Sequence, residues 1–287
     1  MENNFLGEKK IILVTGGAGF IGSNLCERLV SEGHEVISLD DYSFGSTENH
    51  VSGVTYYEGH TKDISKTIKE IPDIIFHLGE YSRVEQSFSD VDKVTESNMV
   101  GTKAVLEYWR NTGCKLVYAG SSTKFGEEGK SQSPYSWTKA TNTDLVQNYA
   151  NWFNLPFAIT YFYNVYGPKE RGDDSTGTLV GIYAERKAQN LPLQVRLPGT
   201  QSRNFTHVSD IVDGLLLVGA FGTGDEYGIG HPDAYSVNDV AEMFGGEIET
   251  VPNRPGNRTI APVNADRTIK LGWEPKYNLP TYIKNIV

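Results

Sequence analysis

The 287-residue sequence has few cysteines and no long hydrophobic run. Cys26 and Cys114 are far apart and do not have the spacing of metal ligands, so we predict reduced, buried thiols and no metal ion. The longest apolar run, "LLLVGAF" beginning at Leu215, is too short to cross a bilayer. The N-terminal residues lack the pattern of a signal peptide. We therefore expect a cytoplasmic protein with no membrane partner.

Basic residues are also scarce. Lys and Arg number 26 against 36 Asp and Glu, which gives a formal net charge of −10 at pH 7. Such an acidic surface repels a polyphosphate backbone, so we expect no nucleic-acid partner. A small anionic ligand is still compatible, because a local basic pocket can lie within an acidic protein. Internal repeats are also lacking, and the length fits one large domain or two ordinary ones.

Apolar strands and amphipathic helices alternate through the first part of the sequence. Strands are predicted at "KKIILVTGG", "HEVISLDD", "VTYYEGH", "PDIIFHLG", "CKLVYAGSS" and "PFAITYFYNVYGP". Helical patterns lie between them, as in "FIGSNLCERLVSEG" and "NMVGTKAVLEYWRNTG". After Pro168, turns become frequent and the helical segments are shorter. The pattern predicts an α/β fold, a Rossmann-type doubly wound parallel sheet with a smaller mixed α/β C-terminal domain.

A glycine-rich turn separates the first strand from the first helix. In "LVTGGAGFIGSNL", Gly16, Gly19 and Gly22 would let the backbone approach a pyrophosphate at the helix N-terminus, where unpaired N–H groups favour anions. Asp40 follows about twenty residues later, where its carboxylate can accept hydrogen bonds from ribose hydroxyls. Asp40 and the adjacent Asp41 would repel a 2′-phosphate, so NAD is predicted over NADP. The alternative for Asp40 is a turn or helix cap.

The glycine spacing and the downstream "YSWTK" resemble the short-chain dehydrogenase/reductase superfamily. The closer resemblance is to its extended branch of NAD-dependent nucleotide-sugar epimerases and dehydratases, of the UDP-glucose and UDP-GlcNAc 4-epimerase type. The motifs "TGGAGFIGSN", "HLGEYSRVEQS", "NMVGT", "SSTKFG", "PYSWTK", "YNVYGP", "RNFTHVSDIVDG" and "LGWEP" follow the family's order over nearly the whole chain. The cofactor contacts that this resemblance implies are Gly16, Gly19, Phe20, Ile21, Gly22, Asp40, Asp41, Tyr42, His60, Thr61, Leu78, Gly79, Ser82, Asn98, Tyr135, Lys139 and Tyr163.

Tyr135 and Lys139 are four residues apart, so on a helix they share one face. A neighbouring ammonium group stabilises a phenolate. The resemblance implies that Tyr135 is the acid/base on the oxidised sugar hydroxyl and that Lys139 also binds the nicotinamide ribose. It further implies that Ser121 hydrogen-bonds the reacting substrate oxygen. The alternatives are a surface Tyr–Lys pair on an amphipathic helix and a capping role for Ser121.

The two residues after Ser121 separate the reactions of this family. Its 4,6-dehydratases carry Asp and Glu there, whereas this chain has Ser122 and Thr123, which cannot act as carboxylic acids. The resemblance therefore implies a 4-epimerase that transiently oxidises C4 and re-reduces it, with Tyr135 taking and returning the proton. A 4,6-dehydratase with a different acid, a 4-dehydrogenase and a decarboxylase remain open. So does a non-catalytic dinucleotide-binding sensor or scaffold, although such proteins typically lose the tyrosine or the lysine.

The partner implied by the resemblance is a nucleotide-diphosphate sugar. Its predicted ligands are Ser122, Thr123, Asn164, Arg203 and Arg258, the two arginines clamping the diphosphate with their forked donors.

The sequence departs from the family at several positions. His60 replaces an Asp that binds the adenine amine, and a neutral ring nitrogen would have to accept that hydrogen bond instead. Asp63 is expected to cap a helix. The segment from Gly126 to Pro134 is shorter than usual, which affects the rim of the substrate pocket. Arg83 replaces a smaller residue and can reach a phosphate.

The resemblance also divides the chain and predicts its assembly. We expect an NAD-binding domain at residues 1–167, to which 205–230 returns, and a nucleotide-sugar domain at 168–204 and 231–287. A homodimer is expected through two helices whose apolar residues are Val100, Ala104, Trp109, Leu145 and Tyr149. Packing of these residues on the sheet is the alternative. Synthesis of polysaccharide or glycan precursors is the expectation from the family.

Overall fold

The computed structural model of the chain describes residues 5–125, 132–252 and 263–287. The strands are β1 (Ile11–Thr15), β2 (Glu35–Asp40), β3 (Val54–Glu58), β4 (Ile74–His77), β5 (Lys115–Ser121), β6 (Phe157–Phe162), β7 (Val165–Tyr166), β8 (Leu193–Arg196), β9 (Ser202–Asn204), β10 (Thr206–His207), β11 (Gly224–Ile229), β12 (Ala234–Ser236) and β13 (Ile248–Val251). The α-helices are α1 (Phe20–Ser31), α2 (Ile64–Thr67), α3 (Val91–Val94), α4 (Thr102–Thr112), α5 (Pro134–Phe153), α6 (Leu179–Ala188), α7 (Val208–Phe221), α8 (Val237–Phe244), α9 (Asp266–Lys270) and α10 (Leu279–Ile286). Short 3₁₀ turns span Thr47–Asn49, Thr61–Asp63, Gln86–Phe88 and Ser122–Phe125, and a π-helical segment spans Thr95–Gly101.

The main sheet has seven parallel strands in the order β3-β2-β1-β4-β5-β6-β11. The chain runs outward from β1 to β3 and then crosses to β4, from which it runs outward in the opposite direction. Such a reversal opens a crevice beyond the carboxyl ends of β1 and β4, where ligands bind in open α/β sheets. The predicted doubly wound parallel sheet is confirmed.

Helices cover both faces of this sheet. Ile12 and Val14 pack in one apolar core with α1 and α7, whereas Leu13 between them packs in a second core with α4 and α5. Successive strand side chains point to opposite faces, so a strand covered on both sides must be apolar throughout. This explains why "IILVT" shows no alternation of polar and apolar residues.

β11 lacks the sequence pattern of a strand and was not predicted as one. Its sequence "GDEYGI" contains two glycines and two acidic residues, which is typical of a turn. β11 is the edge strand beside β6, and its register shifts between Gly224 and Tyr227. There Asp225 accepts hydrogen bonds from Tyr161 Oη at 2.6 Å and from Gln147 Nε2 at 3.0 Å, so an acidic residue is stabilised at this edge.

A smaller apolar core lies beyond the main sheet. It contains Tyr183 of α6, Val195 of β8, Phe244 of α8 and Ile283 of α10. β8 pairs with β13 in parallel, and β9 pairs with β12 in antiparallel orientation. The smaller unit is therefore mixed α/β as predicted, while the residue bounds of the two domains stay a prediction.

In the helices predicted to form a dimer, some of the apolar residues expected at the interface are buried within the chain. Trp109 and Tyr149 are buried within the chain, so they belong to its core and cannot form an interface. Val100 and Trp152 are 51% and 62% exposed, respectively. A homodimer remains a proposal that rests on exposed apolar residues such as these two.

His77 predicts how stability depends on pH. It is fully buried at the end of β4, with Nδ1 2.7 Å from Thr15 Oγ1 and Nε2 3.0 Å from Thr102 Oγ1. Burial lowers the pKa of His77 to about 4, whereas an unfolded histidine has a pKa of about 6.5. Between these values the unfolded chain binds a proton that the folded chain does not. We therefore expect this residue to reduce the free energy of unfolding by about 2 kcal/mol from pH 7 to pH 5.

Urea unfolding at the two pH values measures this loss. His77→Asn should show a smaller pH dependence than the wild type, whereas His50→Asn, at an exposed histidine, should not. An equal pH dependence in wild type and His77→Asn would show that His77 does not cause the loss.

Candidate active site

At the glycine-rich turn before α1, the backbone of Gly16 packs directly against the backbones of Gly22 and Gly79. A Cβ atom on Gly22 would lie 2.0 Å from the carbonyl oxygen of Gly16, and one on Gly16 would lie 2.9 Å from Cα of Gly79. Gly16 also has a φ of +75°, which favours glycine. Gly19 precedes α1 and has no side chain to cap it, so the first-turn N–H groups remain available to an anion.

A cavity of about 640 Å³ lies at the carboxyl edge of the sheet, above this turn. Most of the predicted cofactor contacts line it. They are Gly16, Gly19, Phe20, Ile21, Gly22, Asp40, Asp41, His60, Thr61, Leu78, Gly79, Ser82, Tyr135 and Lys139. Residues far apart in sequence meet there because the parallel strands all end at this edge.

The Asp40 carboxylate is fixed on the wall of the cavity. Its Oδ2 accepts a hydrogen bond from Ala18 N at 2.9 Å, and its Oδ1 accepts one from Tyr42 N at 2.8 Å. Burial raises the pKa of Asp40, and the two backbone amides act against this rise. A carboxylate has about four acceptor positions, so Asp40 can still accept hydrogen bonds from ribose hydroxyls.

Tyr42 and Tyr163, both predicted as cofactor contacts, do not line this cavity. Tyr42 has a φ of +57°, and its hydroxyl lies 2.9 Å from His50 Nε2 in a neighbouring depression. The Tyr163 side chain is buried, and its hydroxyl accepts a hydrogen bond from Asn264 N at 3.2 Å. Both side chains pack outside the cavity wall, and their contacts with the cofactor stay predictions.

Asn98 does not line the cavity and holds the backbone beside it. It is fully buried in the π-helical segment. Its Oδ1 accepts a hydrogen bond from Tyr81 N at 2.7 Å, while Nδ2 donates to Tyr81 O and to Thr138 Oγ1, each at 3.1 Å. Asn98 thus fixes the segment after β4 to α5, and its contact with the cofactor stays a prediction. Single π-helical turns are frequent at functional sites.

His60 lines the cavity in a different hydrogen-bonding role from the predicted one. Its Nδ1 accepts a hydrogen bond from Lys62 N at 3.0 Å and caps the 3₁₀ turn that follows. In a neutral imidazole the proton is then on Nε2, which is a donor. The expected acceptance of a hydrogen bond from the adenine amine is therefore wrong. Asp63 does not cap α2 and instead pairs with Lys66 Nζ at 2.6 Å.

α5 carries the predicted reacting pair into the cavity. Ser133 caps this helix by accepting a hydrogen bond from Ser136 N at 3.0 Å. One turn apart, Tyr135 and Lys139 both line the cavity. The Tyr135 hydroxyl donates to Ser121 Oγ at 3.2 Å, so the predicted catalytic residues come together.

Glu80 was missed by the sequence analysis. Its carboxylate forms an ion pair with Lys139, and both side chains are buried, with 3% and 6% of their surface exposed, respectively. Burial raises the pKa of Glu80, but the Lys139 ammonium, His77 and the hydrogen bonds from Lys139 and Thr102 together hold it below the ordinary value. The signal in the sequence was an acidic residue directly after "HLG", at the carboxyl end of a buried strand.

The four predicted substrate ligands within the described residues do not line the cavity. Ser122 and Thr123 are buried in a 3₁₀ turn, where Thr123 Oγ1 lies 2.9 Å from Ser121 Oγ. Asn164 donates to Asn204 O at 2.9 Å, and Arg203 donates to Ser202 O at 2.9 Å on β9. Arg258 lies outside the described residues, as does most of the shortened segment after Phe125.

Two other arginines do line the cavity. The Arg83 guanidinium lies 5.1 Å from the centre of the Phe44 ring, and its buried Nε has no hydrogen-bond partner among the described residues. Burial and the nearby Arg171 lower the pKa of Arg83, while Tyr135 acts in the opposite direction. Arg171 is half-exposed and pairs with Asp173 at 3.1 Å. Neighbouring cations in one cavity favour an anionic ligand between them.

The described residues contain neither a candidate metal site nor a candidate membrane-spanning helix. Within residues 5–125, 132–252 and 263–287, His, Cys, Asp and Glu form no group of three suited to a metal ion. No helix in these ranges is long and apolar enough to span a bilayer. Cys26 is a buried free thiol, and Cys114 is free and partly exposed.

Known proteins resemble the chain over most of its length. The model of the NAD dependent epimerase/dehydratase family matches residues 12–230. UDP-glucuronic acid decarboxylase 6 of Arabidopsis thaliana is 30% identical, over 97% of this chain and 88% of the relative. The UDP-glucose 4-epimerase of Thermus thermophilus in complex with NAD is 26% identical, with a TM-score of 0.88 and 96% of both chains covered. The UDP-glucose 4-epimerase of Thermotoga maritima with UDP-glucose is 26% identical, with a TM-score of 0.89 and the same coverage.

The residues of the cavity fit the cofactor of this family. A side chain on Gly16 or Gly22 would fill the backbone cradle at α1, which therefore suits a close pyrophosphate. Asp40 offers acceptors for a ribose and, with Asp41, opposes a 2′-phosphate. The chain belongs to the NAD dependent epimerase/dehydratase family, and NAD is the cofactor that its cavity fits.

Proposed function

We propose that the protein is a nucleotide-sugar 4-epimerase. One observation carries this proposal. The cavity presents a tyrosine hydroxyl bonded to Ser121, while the positions of a dehydratase's Asp and Glu hold the buried Ser122 and Thr123. An epimerase needs one group that removes a proton and returns it, whereas elimination of water needs an additional acid and base.

Residues on opposite sides of the cavity would hold NAD. Asp40 would accept hydrogen bonds from the adenosine ribose, and Lys139 would donate to the nicotinamide ribose. When bound, NAD supplies a hydride acceptor that oxidises the sugar carbon and later returns the hydride to its other face.

Tyr135 would perform the proton transfer. As a phenolate it accepts the proton of the C4 hydroxyl, and it returns a proton to that oxygen when the ketone is reduced. Ser121 Oγ, 3.2 Å from the tyrosine hydroxyl, would donate a hydrogen bond to the same substrate oxygen. Thr123 Oγ1, 2.9 Å from Ser121 Oγ, fixes the position of that serine.

Glu80 does not supply the missing acid for dehydration. It lies in the cavity wall, but its pKa is lowered, so the carboxylate holds no proton to donate at neutral pH. Its two oxygens also accept hydrogen bonds from several neighbours, including Lys139 and Asn142. Both features favour epimerisation over dehydration.

Proton NMR of the purified protein with UDP-glucose, GDP-mannose and dTDP-glucose, without reductant, tests this proposal. We expect one of these sugars to give signals of its 4-epimer. A new C6 methyl doublet would show dehydration and would contradict the proposal. The NAD content of the protein should stay constant during turnover, because no net oxidation occurs.

Decarboxylation of a nucleotide uronate is a second candidate, favoured by a specific observation. Arg83 is a largely buried cation, and it lies close enough to Tyr135 for the charge of the tyrosine to affect the pKa of the guanidinium. A uronate brings a carboxylate near the same reacting carbon, and the Arabidopsis relative is named a UDP-glucuronic acid decarboxylase. Tyr135 would then accept the C4 hydroxyl proton while NAD would accept the hydride, and the resulting 4-ketone would lose carbon dioxide; return of the hydride and of the proton would give a nucleotide pentose.

Arg83→Ala separates the two candidates. For an epimerase we expect it to weaken binding of UDP-glucose and UDP-glucuronate alike, by about 10-fold or more, because the shared diphosphate loses a charged donor. Calorimetric titration of the NAD-loaded protein measures both affinities. Arg110→Ala is the matched control and should change neither, because Arg110 is exposed on α4 and does not line the cavity. A loss confined to UDP-glucuronate would favour the decarboxylase.

A further inference from the structure

The ammonium of Lys139 is already engaged within the protein. It pairs with the Glu80 carboxylate, donates to Ala119 O, and lies 4.4 Å from the centre of the Tyr118 ring. Lysine has three N–H donors, so one remains for a ligand in the cavity that Lys139 lines. Its orientation is therefore fixed before any ligand is bound.

The Glu80 carboxylate is held equally firmly. Its Oε1 accepts hydrogen bonds from Thr102 Oγ1 and Asn142 Nδ2, each at 2.7 Å, and from the Tyr118 hydroxyl at 3.2 Å. These donors come from α4, α5 and β5, so three elements of the sheet and its helical layer converge on one carboxylate. The fold therefore supplies the hydrogen-bond donors that a buried carboxylate needs.

The charge balance around Tyr135 follows from this pair. A lone ammonium stabilises a phenolate, but an ammonium paired with a carboxylate is neutral overall and does so less. The other titratable groups around the pair are His77 on β4 and Tyr118 on β5, and Arg83 faces Tyr135. His77 is neutral above pH 5 and Arg83 stays charged, so neither changes its charge where a phenolate would form.

We propose that Glu80 is a positioning residue that holds Lys139 towards the nicotinamide ribose and balances its charge, so that Tyr135 ionises at higher pH than beside an unpaired lysine. This inference rests on the proposed function, because it assigns Tyr135 the acid/base role. It adds that a carboxylate other than the predicted catalytic residues Ser121, Tyr135 and Lys139 determines the pH range in which the enzyme is active.

Glu80→Gln removes the charge and keeps the shape of the side chain. We expect the pH at which phenolate absorbance appears in the NAD-loaded protein to fall by about one unit or more, because Lys139 is no longer neutralised. Ultraviolet titration, with Tyr135→Phe subtracted as reference, measures this without any sugar. The acidic limb of the pH dependence of kcat should move in the same direction.

Three further variants complete the test. Tyr118→Phe removes one hydrogen bond to Glu80 without changing charge, and Glu80→Asp keeps the charge, so both should titrate as the wild type does. Glu80→Ala carries the same expectation as Glu80→Gln and decides the question if the latter does not fold. An unchanged titration in a folded, NAD-loaded charge-removing variant would overturn the inference. Failure of the proposed function would instead appear as no sugar turnover alongside the expected shift.

Discussion

Tyr135→Phe is expected to lower kcat for sugar epimerisation by about 10³-fold, because proton transfer by a positioned side chain contributes on this scale. The Tyr135 hydroxyl, 3.2 Å from Ser121 Oγ, faces the cavity, and phenylalanine keeps the ring while removing the group that accepts the proton. Steady-state rates with the sugar identified by NMR measure the loss.

The affinity for NAD distinguishes a chemical effect from a structural one. Tyr135→Phe should bind NAD with an affinity close to that of the wild type, because Lys139 and Asp40 are unchanged. A variant that turned over at the wild-type rate would show that another group transfers the proton. If neither protein turned over any sugar, the sensor or scaffold hypothesis would return to consideration.

Gly22→Ala is expected to reduce the affinity for NAD by about 100-fold or more. The new Cβ would lie 2.0 Å from the carbonyl oxygen of Gly16, far inside any permitted contact, so the turn would have to open. Gly16 cannot give way easily, because it is itself packed against Gly79. Equilibrium titration with NAD measures the affinity, and thermal unfolding should show a lower Tm.

Gly19→Ala is the matched control for this prediction. Its Cβ would lie 3.2 Å from the same carbonyl oxygen, which a shift of a few tenths of an ångström relieves, and Gly19 has a negative φ. We therefore expect a Tm close to that of the wild type, whereas the affinity for NAD can still fall because Gly19 lines the cavity. An equal loss of Tm in the two variants would contradict the packing argument.

Patterns within short stretches of sequence predicted the fold and the shared helix face of Tyr135 and Lys139. Apolar strands alternating with amphipathic helices correctly indicated a doubly wound sheet, and the spacing of Tyr135 and Lys139 placed both on one face of α5. Each of these inferences depends on neighbours within a few residues, for which helix and strand geometry is known in advance.

Contacts between distant residues could not be predicted in this way. Glu80 and Lys139 are 59 positions apart and meet because α5, which carries Lys139, packs on β5, the neighbour of the strand β4 that Glu80 follows. In sequence, Glu80 has the pattern of an ordinary loop acid after a strand. Arg203 lies on β9 beside β12 and does not line the cavity, so the substrate contact that its motif predicts stays a prediction.

The direction of individual hydrogen bonds could not be predicted from the sequence either. His60 was expected to accept a hydrogen bond from adenine, yet the turn that it caps occupies Nδ1 and leaves a donor. Asn98 was placed among the cofactor contacts, yet both N–H donors of its amide hold Tyr81 and Thr138, and its Oδ1 accepts from Tyr81 N. In both cases a polar residue near the cavity serves the backbone, which its identity alone does not reveal.

The most direct test of the central claim is the fate of the C4 hydrogen during turnover. The nucleotide hexose that gives its epimer would be prepared with deuterium at C4 and followed by NMR in ordinary water. Transient oxidation with Tyr135 moving only the hydroxyl proton predicts that the deuterium remains on C4 of the epimer. Replacement of that deuterium by solvent hydrogen would contradict the account, because the carbon would then have exchanged its hydrogen with water.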